Sequence, residues 1–423
     1  MNIQIWKRII RSRYGVSLGS CILLQGMLMA IVNPLLPIIL SNRIGLDKSE
    51  ITAFFLMITL IGIVISLGTG YLSDGTIARY KLVLGGGVIS ALGYLGTATA
   101  TQPVHAFIAG PLIIAGIILF PQLFAVAKAG IVAGWERDAQ VTGITALRTL
   151  FSFGYILGTG LASWLVQVMD IQAVCLLIAG GLLALTVWAA LVLKQIERYI
   201  AQQTVRPVES TGSQPPETDR VILPIYALVI PLLALAVLKG ADSTRNVYLP
   251  LIIFELFHDA SLAPLMFGVT AVAELVTLGL ISYLSSKVGE KAAISICALT
   301  GALYFIMLAF VQSLPLMYFT QVVYAIFNAA LLGVAMAYVQ GMLSHRAGMG
   351  GSVYVAILNL GSFVGLIAPL VVTGYDQRIF IIPAVMCVVG AVLLMLGDRT
   401  AQIEQRLRER AVQEARLQEA PRF

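Results

Sequence analysis

A chain of 423 residues that is 59% hydrophobic and only 11% charged cannot cover itself with a water-soluble surface, which takes roughly 25% charged residues. Its formal charge of +6, from 27 basic and 21 acidic residues, is scattered over many short loops, so it is not a nucleic-acid footprint. Cys21, Cys175, Cys297 and Cys387 each stand alone in a different apolar run, which encodes neither a disulfide framework nor a thiolate metal site.

Twelve apolar runs follow one another along the chain: 14–40, 50–73, 82–101, 103–128, 139–167, 171–193, 222–249, 262–286, 291–312, 315–340, 350–372 and 378–397. Each is long enough to cross ~30 Å of hydrocarbon as a helix. A transmembrane barrel would need short alternating segments instead. The first run is too long for a signal-peptide core and lacks a small-residue cleavage site, so it is expected to remain as the first span. The predicted fold class is an all-α integral membrane protein with twelve transmembrane helices. With the N-terminus in the cytoplasm, most basic residues fall on inner segments, and the outer loops keep only Arg43, Lys48 and Arg378. That bias places both termini inside.

The chain also reads as one unit used twice. The turn Gly70-Tyr71-Leu72-Ser73-Asp74-Gly75, followed by Arg79 and Lys81, has an echo in Tyr283-Leu284-Ser285-Ser286, followed by Lys287, Glu290 and Lys291. Leu36-Pro37-Ile38 and Leu249-Pro250-Leu251 repeat at about the same offset, as do Ser152-Phe153 and Ser362-Phe363. The predicted organisation is a six-helix bundle over 1–193, a cytoplasmic linker over 194–221, a second six-helix bundle over 222–397 and a charged cytoplasmic tail over 398–423. The linker is rich in Pro, Ser, Thr and Gln and cannot build a core. Six crossings return the chain to the same side, so the two bundles are expected to be related by a pseudo-twofold along the membrane normal.

The residues of the first turn carry a family resemblance. Gly70, Leu72, Ser73, Asp74, Arg79 and Lys81 resemble the loop between helices 2 and 3 of the major facilitator superfamily, although the basic residues arrive late and Gly75 stands where a basic residue is common. Within that superfamily the chain is most similar to bacterial sugar efflux transporters. The matching stretches are Gln122-Leu123-Phe124-Ala125-Val126-Ala127-Lys128, Leu147-Arg148, Ala273-Glu274 and Gln340 through Gly365, including Arg346-Ala347-Gly348 and Tyr354. The resemblance implies a monomeric exporter of sugars or similar small polar solutes in a bacterial inner membrane, with siderophores or drugs as the other cargo classes. It also implies that helix 7 lines a central cavity and that helices 5 and 8 are neighbours. Gly154-Tyr155-Ile156-Leu157-Gly158 partly resembles the antiporter signature of helix 5 without its proline.

An ionisable side chain inside a span costs a few kcal/mol and needs a reason. Glu274 sits near the middle of helix 8, and its repeat position is occupied by Gly62. It reads either as a proton-binding acid or as a hydrogen-bonded link between helices. Arg148, inside helix 5, needs a carboxylate or an anion, or else snorkels to the interface. A pairing of Arg148 with Glu274 is the expected proton-coupling site. Lys239, Asp242 and Arg245 fall at i, i+3 and i+6 on helix 7, where neighbours face each other. They read as a substrate site or gate, with Asp242 and Arg245 alternatively at the outer water interface. Gln25, Asn33, Gln122, Asn328 and Asn359, together with Gln321 and Tyr324, are neutral polar groups inside spans. They suit sugar hydroxyls and equally serve as interhelical glue. The turn residues Gly70, Leu72, Asp74, Arg79 and Lys81 are assigned to gating, with Asp74 facing a nearby base or a helix N-terminus, or else solvated in the loop. There is no phosphate loop, nucleophile elbow or metal spacing, and His105, His258 and His345 fall in loops. The expectation is a transporter without cofactor, not an enzyme, coupled to protons and acting on a small-molecule substrate within the bilayer.

Overall fold

The computed structural model describes residues 3–75, 77–204, 225–342 and 347–396. The predicted tail over 398–423 and most of the predicted linker lie outside these residues, as does the side chain of Asp74. Among the described residues all regular structure is helical. Among the described residues ten helices are long and apolar enough to cross a membrane. Two further helices, Ile225–Phe257 and Ala347–Ile367, fall where the sequence predicts spans seven and eleven. The first of these carries Lys239, Asp242 and Arg245 near its middle.

In chain order, a short helix α1 (Ile3–Arg11) precedes the spans α2 (Gly15–Ile38), α3 (Lys48–Gly75) and α4 (Arg79–Thr99). The fourth span is α5 (Pro103–Ile113) continued through a tight 3-10 turn at Ile114–Ile118 into α6 (Leu119–Gly130). Then come α7 (Arg137–Val168), α8 (Ile171–Thr204), α9 (Ile225–Phe257), α10 (Leu262–Val288) and α11 (Glu290–Phe310). The tenth span is α12 (Leu314–Ala329), a π turn at Ala330–Val334 and α13 (Ala335–Met342), followed by α14 (Ala347–Ile367) and the last span Gln377–Leu396. Pro111 inside α5 removes a backbone donor, which explains the break that follows it. The start of α3 is sealed by a reciprocal cap. Asp47 Oδ1 accepts from Glu50 N at 2.7 Å and from Ser49 Oγ at 2.7 Å, while Asp47 N donates to Glu50 Oε2 at 2.9 Å. The Ser49 hydroxyl, then the Glu50 amide, hold the Asp47 carboxyl below its usual range.

The chain separates into two compact units. The first comprises Met1–Ser213, Asn246–Leu275 and Leu370–Asp376; the second comprises Gln214–Arg245, Val276–Pro369 and Gln377–Phe423. Within the first, α2 lies against α7 through glycines. A Cβ added to Gly154 would sit 2.0 Å from Leu23 O, and one on Gly26 would sit 2.2 Å from Phe151 O. Within the second, α9 meets α14 in the same manner, because a Cβ on Gly361 would sit 2.0 Å from Ala236 O and one on Gly365 1.9 Å from Gly240 O. Backbones this close are how membrane helices gain packing without a hydrophobic drive between them. The repeat read from the sequence therefore reappears as one helix contact made twice.

A second echo lies on the surface. Leu60, Val64, Leu67 and Tyr71 on α3 are exposed, as are Val272, Val276, Leu280 and Tyr283 on α10. Both stripes follow helical spacing. Exposed apolar rows of this length suit a protein whose solvent is lipid.

Candidate functional site

The second unit buries a charged network. Asp242 is 4% exposed and Arg245 2%, so neither lies at a water interface, and that alternative is overturned. Three residues per step on α9 bring Lys239 and Asp242 side by side: Lys239 Nζ donates to Asp242 Oδ2 in a short ion pair. Tyr324 of α12 donates from its hydroxyl to Asp242 Oδ1. Arg245 Nε donates to Tyr304 Oη at 3.1 Å and its Nη2 donates to Gln321 Oε1 at 2.8 Å. Its guanidinium carbon lies 3.8 Å from the Tyr324 ring centroid, a cation–π contact of about 2 kcal/mol when desolvated. Gln321 is held by its own helix, donating to Met317 O at 3.2 Å and Thr320 Oγ1 at 3.1 Å. Beside this network Ser243 Oγ donates to Ser362 Oγ at 2.8 Å and Thr244 Oγ1 to Gly365 O at 2.6 Å. Each buried charge thus meets opposite charge, a dipole or a π face, as a low-dielectric interior demands. Lys239 alone among the three remains partly open, 22% exposed along its side chain.

The first unit holds a neutral counterpart. Gln25 on α2 is 3% exposed and Gln122 on α6 is 4%, yet Oε1 of each has no hydrogen-bond partner. An acceptor left unmade in the interior costs about 1–3 kcal/mol. At about 1.5 Å per residue, Gln25 lies about 15 Å along α2 from its start and Gln122 about 12 Å from the end of α6. Phe120 and Phe124 of α6 approach to 4.7 Å between ring centroids, and Phe120 and Phe151 of α7 to 5.0 Å. Arg148 is exposed, with its guanidinium carbon 6.0 Å from the Phe124 ring centroid. Two orphaned acceptors and an aromatic group therefore belong to this unit, on α2, α6 and α7.

The other predicted residues are dispersed. Glu274 is half-buried on α10, Asn328 on α12 and Asn359 on α14 are half-buried, and Asn33 on α2 is exposed. Arg148 takes the Phe124 ring as its neighbour, while Glu274 lies on a different helix. At the predicted gating turn Gly70 and Lys81 are exposed, and Leu72 and Arg79 are half-buried. The N-terminus of α4 is capped by a residue that the sequence reading did not single out: Arg79 N donates to Glu197 Oε1 at 2.8 Å. Lys194, one turn away on α8, lies 5.5 Å from the Tyr80 ring centroid.

Two more groups escaped notice. Tyr304 is hidden in sequence because one tyrosine in an apolar run looks like any packing aromatic. Lys48 reads as a loop charge, yet its Nζ donates to Val372 O at 2.6 Å and Gly374 O at 2.8 Å. One turn on, Thr52 Oγ1 and Tyr248 Oη lie 2.7 Å apart. These bonds join the start of α3 to the C-terminal part of α9 and to residues 372–374, all inside the first unit.

A family model described as Major Facilitator Superfamily matches residues 18–241 and again residues 232–421, one match to each half of the sequence repeat. Sugar efflux transporter B of Salmonella typhimurium is 24% identical over 351 residues, covering 80% of this chain and 83% of that protein. Sugar efflux transporter C of Escherichia coli is 24% identical over 353 residues, covering 80% and 84%. Among solved structures, nucleoside transporter NupG superposes with a TM-score of 0.71 at 16% identity, covering 90% of this chain and 98% of that one.

Proposed function

Because the chain belongs to the Major Facilitator Superfamily, we propose that it exports sugars or similarly hydroxylated small solutes across a bacterial inner membrane in exchange for protons, by alternating access. It is a multi-pass membrane transporter and not an enzyme. The observation that carries the cargo class is the two buried, unpartnered amide oxygens of Gln25 and Gln122, in the unit that also holds the clustered rings of Phe120, Phe124 and Phe151. A sugar hydroxyl supplies the donor that each amide oxygen lacks, and an aromatic face covers the apolar side of a pyranose ring. The relatives named as sugar efflux transporters support the same cargo. An anionic siderophore, the other cargo class, has less support. The cation it would seek in Arg245 is already enclosed by Tyr304, Gln321 and Tyr324.

Glu274 is the proton-coupling acid in this reading, with Arg148 as the cation that acts on it in part of the cycle. Asp242 is the poorer proton carrier because each of its oxygens already accepts from a donor. A proton arriving there must displace Lys239 or Tyr324. The turn at Gly70, Leu72, Asp74, Arg79 and Lys81 belongs to gating, anchored to its own unit by Glu197. The protein works as a monomer with both termini in the cytoplasm, on the strength of its basic inner loops.

The test is transport in liposomes under an imposed pH gradient with a panel of radiolabelled mono- and disaccharides. Glu274→Gln should lower proton-driven flux at least tenfold while leaving counterflow of labelled for unlabelled sugar intact. Unchanged proton-driven flux in Glu274→Gln would remove that residue from coupling, and no sugar flux at all would remove the cargo class.

A further inference from the structure

Before the first span, α1 carries Ile-Gln-Ile-Trp-Lys-Arg-Ile-Ile-Arg with both basic residues of its last turn, Arg8 and Arg11, near its end. Ile9 is buried, whereas Lys7, Arg8 and Arg11 are exposed. These three cations, with Gln4, Ser12 and Trp135, line a cavity of about 480 Å³. Trp135 lies between α6 and α7 and is 9% exposed. Gln140 Nε2 donates to its backbone carbonyl at 2.9 Å, which steadies the segment. The Arg8 guanidinium carbon sits 4.2 Å from the Trp135 ring centroid. Stacking engages the face of the guanidinium and leaves its N–H edge for an anion. Among the described residues no carboxylate pairs with Lys7, Arg8 or Arg11. Three cations that line one cavity repel one another, and an anion in the cavity relieves that cost.

We propose that this cavity is a binding site for the phosphodiester headgroup of an anionic membrane lipid such as phosphatidylglycerol. Phosphate recognition follows from three clustered cations, two of them arginines with planar forks that match phosphate oxygens. A lipid source follows from what flanks them. Ile10, 59% exposed, stands beside the basic cluster and offers an apolar side chain to acyl chains. A basic in-plane helix with an apolar side lies at the headgroup level, and basic pockets at that level take anionic headgroups. The inference rests on the multi-pass membrane placement and not on the cargo or on proton coupling, so either can fail without the other.

The experiment titrates the full chain in mild detergent and reads tryptophan fluorescence and native mass spectra. Its probes are phosphatidylglycerol, phosphatidylcholine and inorganic phosphate. Phosphatidylglycerol should bind saturably, phosphatidylcholine should not, and inorganic phosphate should compete only weakly. The triple variant Lys7→Gln/Arg8→Gln/Arg11→Gln should bind phosphatidylglycerol on the order of a hundredfold more weakly, since each basic residue near an anionic surface contributes about 1 kcal/mol. Lys287→Gln, at the end of α10, should bind as wild type. Should the triple variant fail to fold, Arg11→Gln on its exposed position should still bind several-fold more weakly. Wild-type affinity in the triple variant, or in Arg11→Gln, would overturn the site. Equal binding of phosphatidylcholine, or saturation by inorganic phosphate that phosphatidylglycerol cannot displace, would overturn the lipid headgroup as its occupant.

Discussion

The two units bury their polar groups in opposite ways. In the second, Lys239, Asp242, Tyr324, Arg245, Tyr304 and Gln321 form a chain in which each charge is answered. In the first, Gln25 and Gln122 are just as deep, but each keeps an amide oxygen without a donor. A saturated network fixes a structure, because every substitution in it strands a partner. An unsaturated one costs stability when empty and gains when a ligand arrives. On the proposed reading, the same repeat, built on the same glycine contacts, has been divided into a half that holds its shape and a half that waits for a solute.

The largest effect should come from breaking the saturated side. Asp242→Asn leaves the part-open Lys239 and the buried Arg245 without their carboxylate. Losing one partner of a buried pair costs about 3–5 kcal/mol, so thermal unfolding in detergent should occur many degrees lower. Lys239→Met/Asp242→Asn should recover part of that loss, since the double change removes both halves of the pair. A drop no larger than for an exposed lysine would show that the network is loose.

The unsaturated side should behave in reverse. Gln25→Leu or Gln122→Leu removes an orphaned acceptor of about 1–3 kcal/mol, so stability should stay level or rise while the KM for sugar rises about tenfold. A clear loss of stability would make these amides interhelical glue and leave the cargo class without its carrying observation.

The smallest effect belongs to the contacts of Lys48. Lys48→Met removes two hydrogen bonds to backbone carbonyls of residues 372–374, about 1 kcal/mol each at most in a part-exposed place. Thr52 and Tyr248 remain. Hydrogen exchange should quicken at 370–376 with little change in unfolding temperature. Unaltered exchange there would mean that Lys48 bears no part in holding the segment.

The contrast also explains what could be read from the chain. The repeat was legible because spans and turns recur by composition, and it returns in space as Gly154 of α7 against α2 and Gly361 of α14 against α9. The cluster on α9 was legible as i, i+3, i+6, but helical spacing does not say which face is inward. Both the interior and the water interface fitted, and burial decided for the interior. Tyr304 and Lys48 were invisible for one physical reason: their roles depend on partners far along the chain. Gln25 and Gln122 were legible as polar groups inside spans, whereas their missing partners could be seen only in three dimensions. Likewise Lys7, Arg8 and Arg11 stand before the first apolar run in the sequence, and only the fold sets Trp135 against Arg8.

The measurement that bears most directly on the division between the halves is the thermal shift that a panel of mono- and disaccharides produces in purified protein. Binding to the folded state raises its stability by mass action. The account predicts that at least one sugar stabilises the wild type, and that Gln25→Leu/Gln122→Leu folds as well as wild type yet loses that shift. A double variant that folds and keeps the full sugar-induced shift would contradict it.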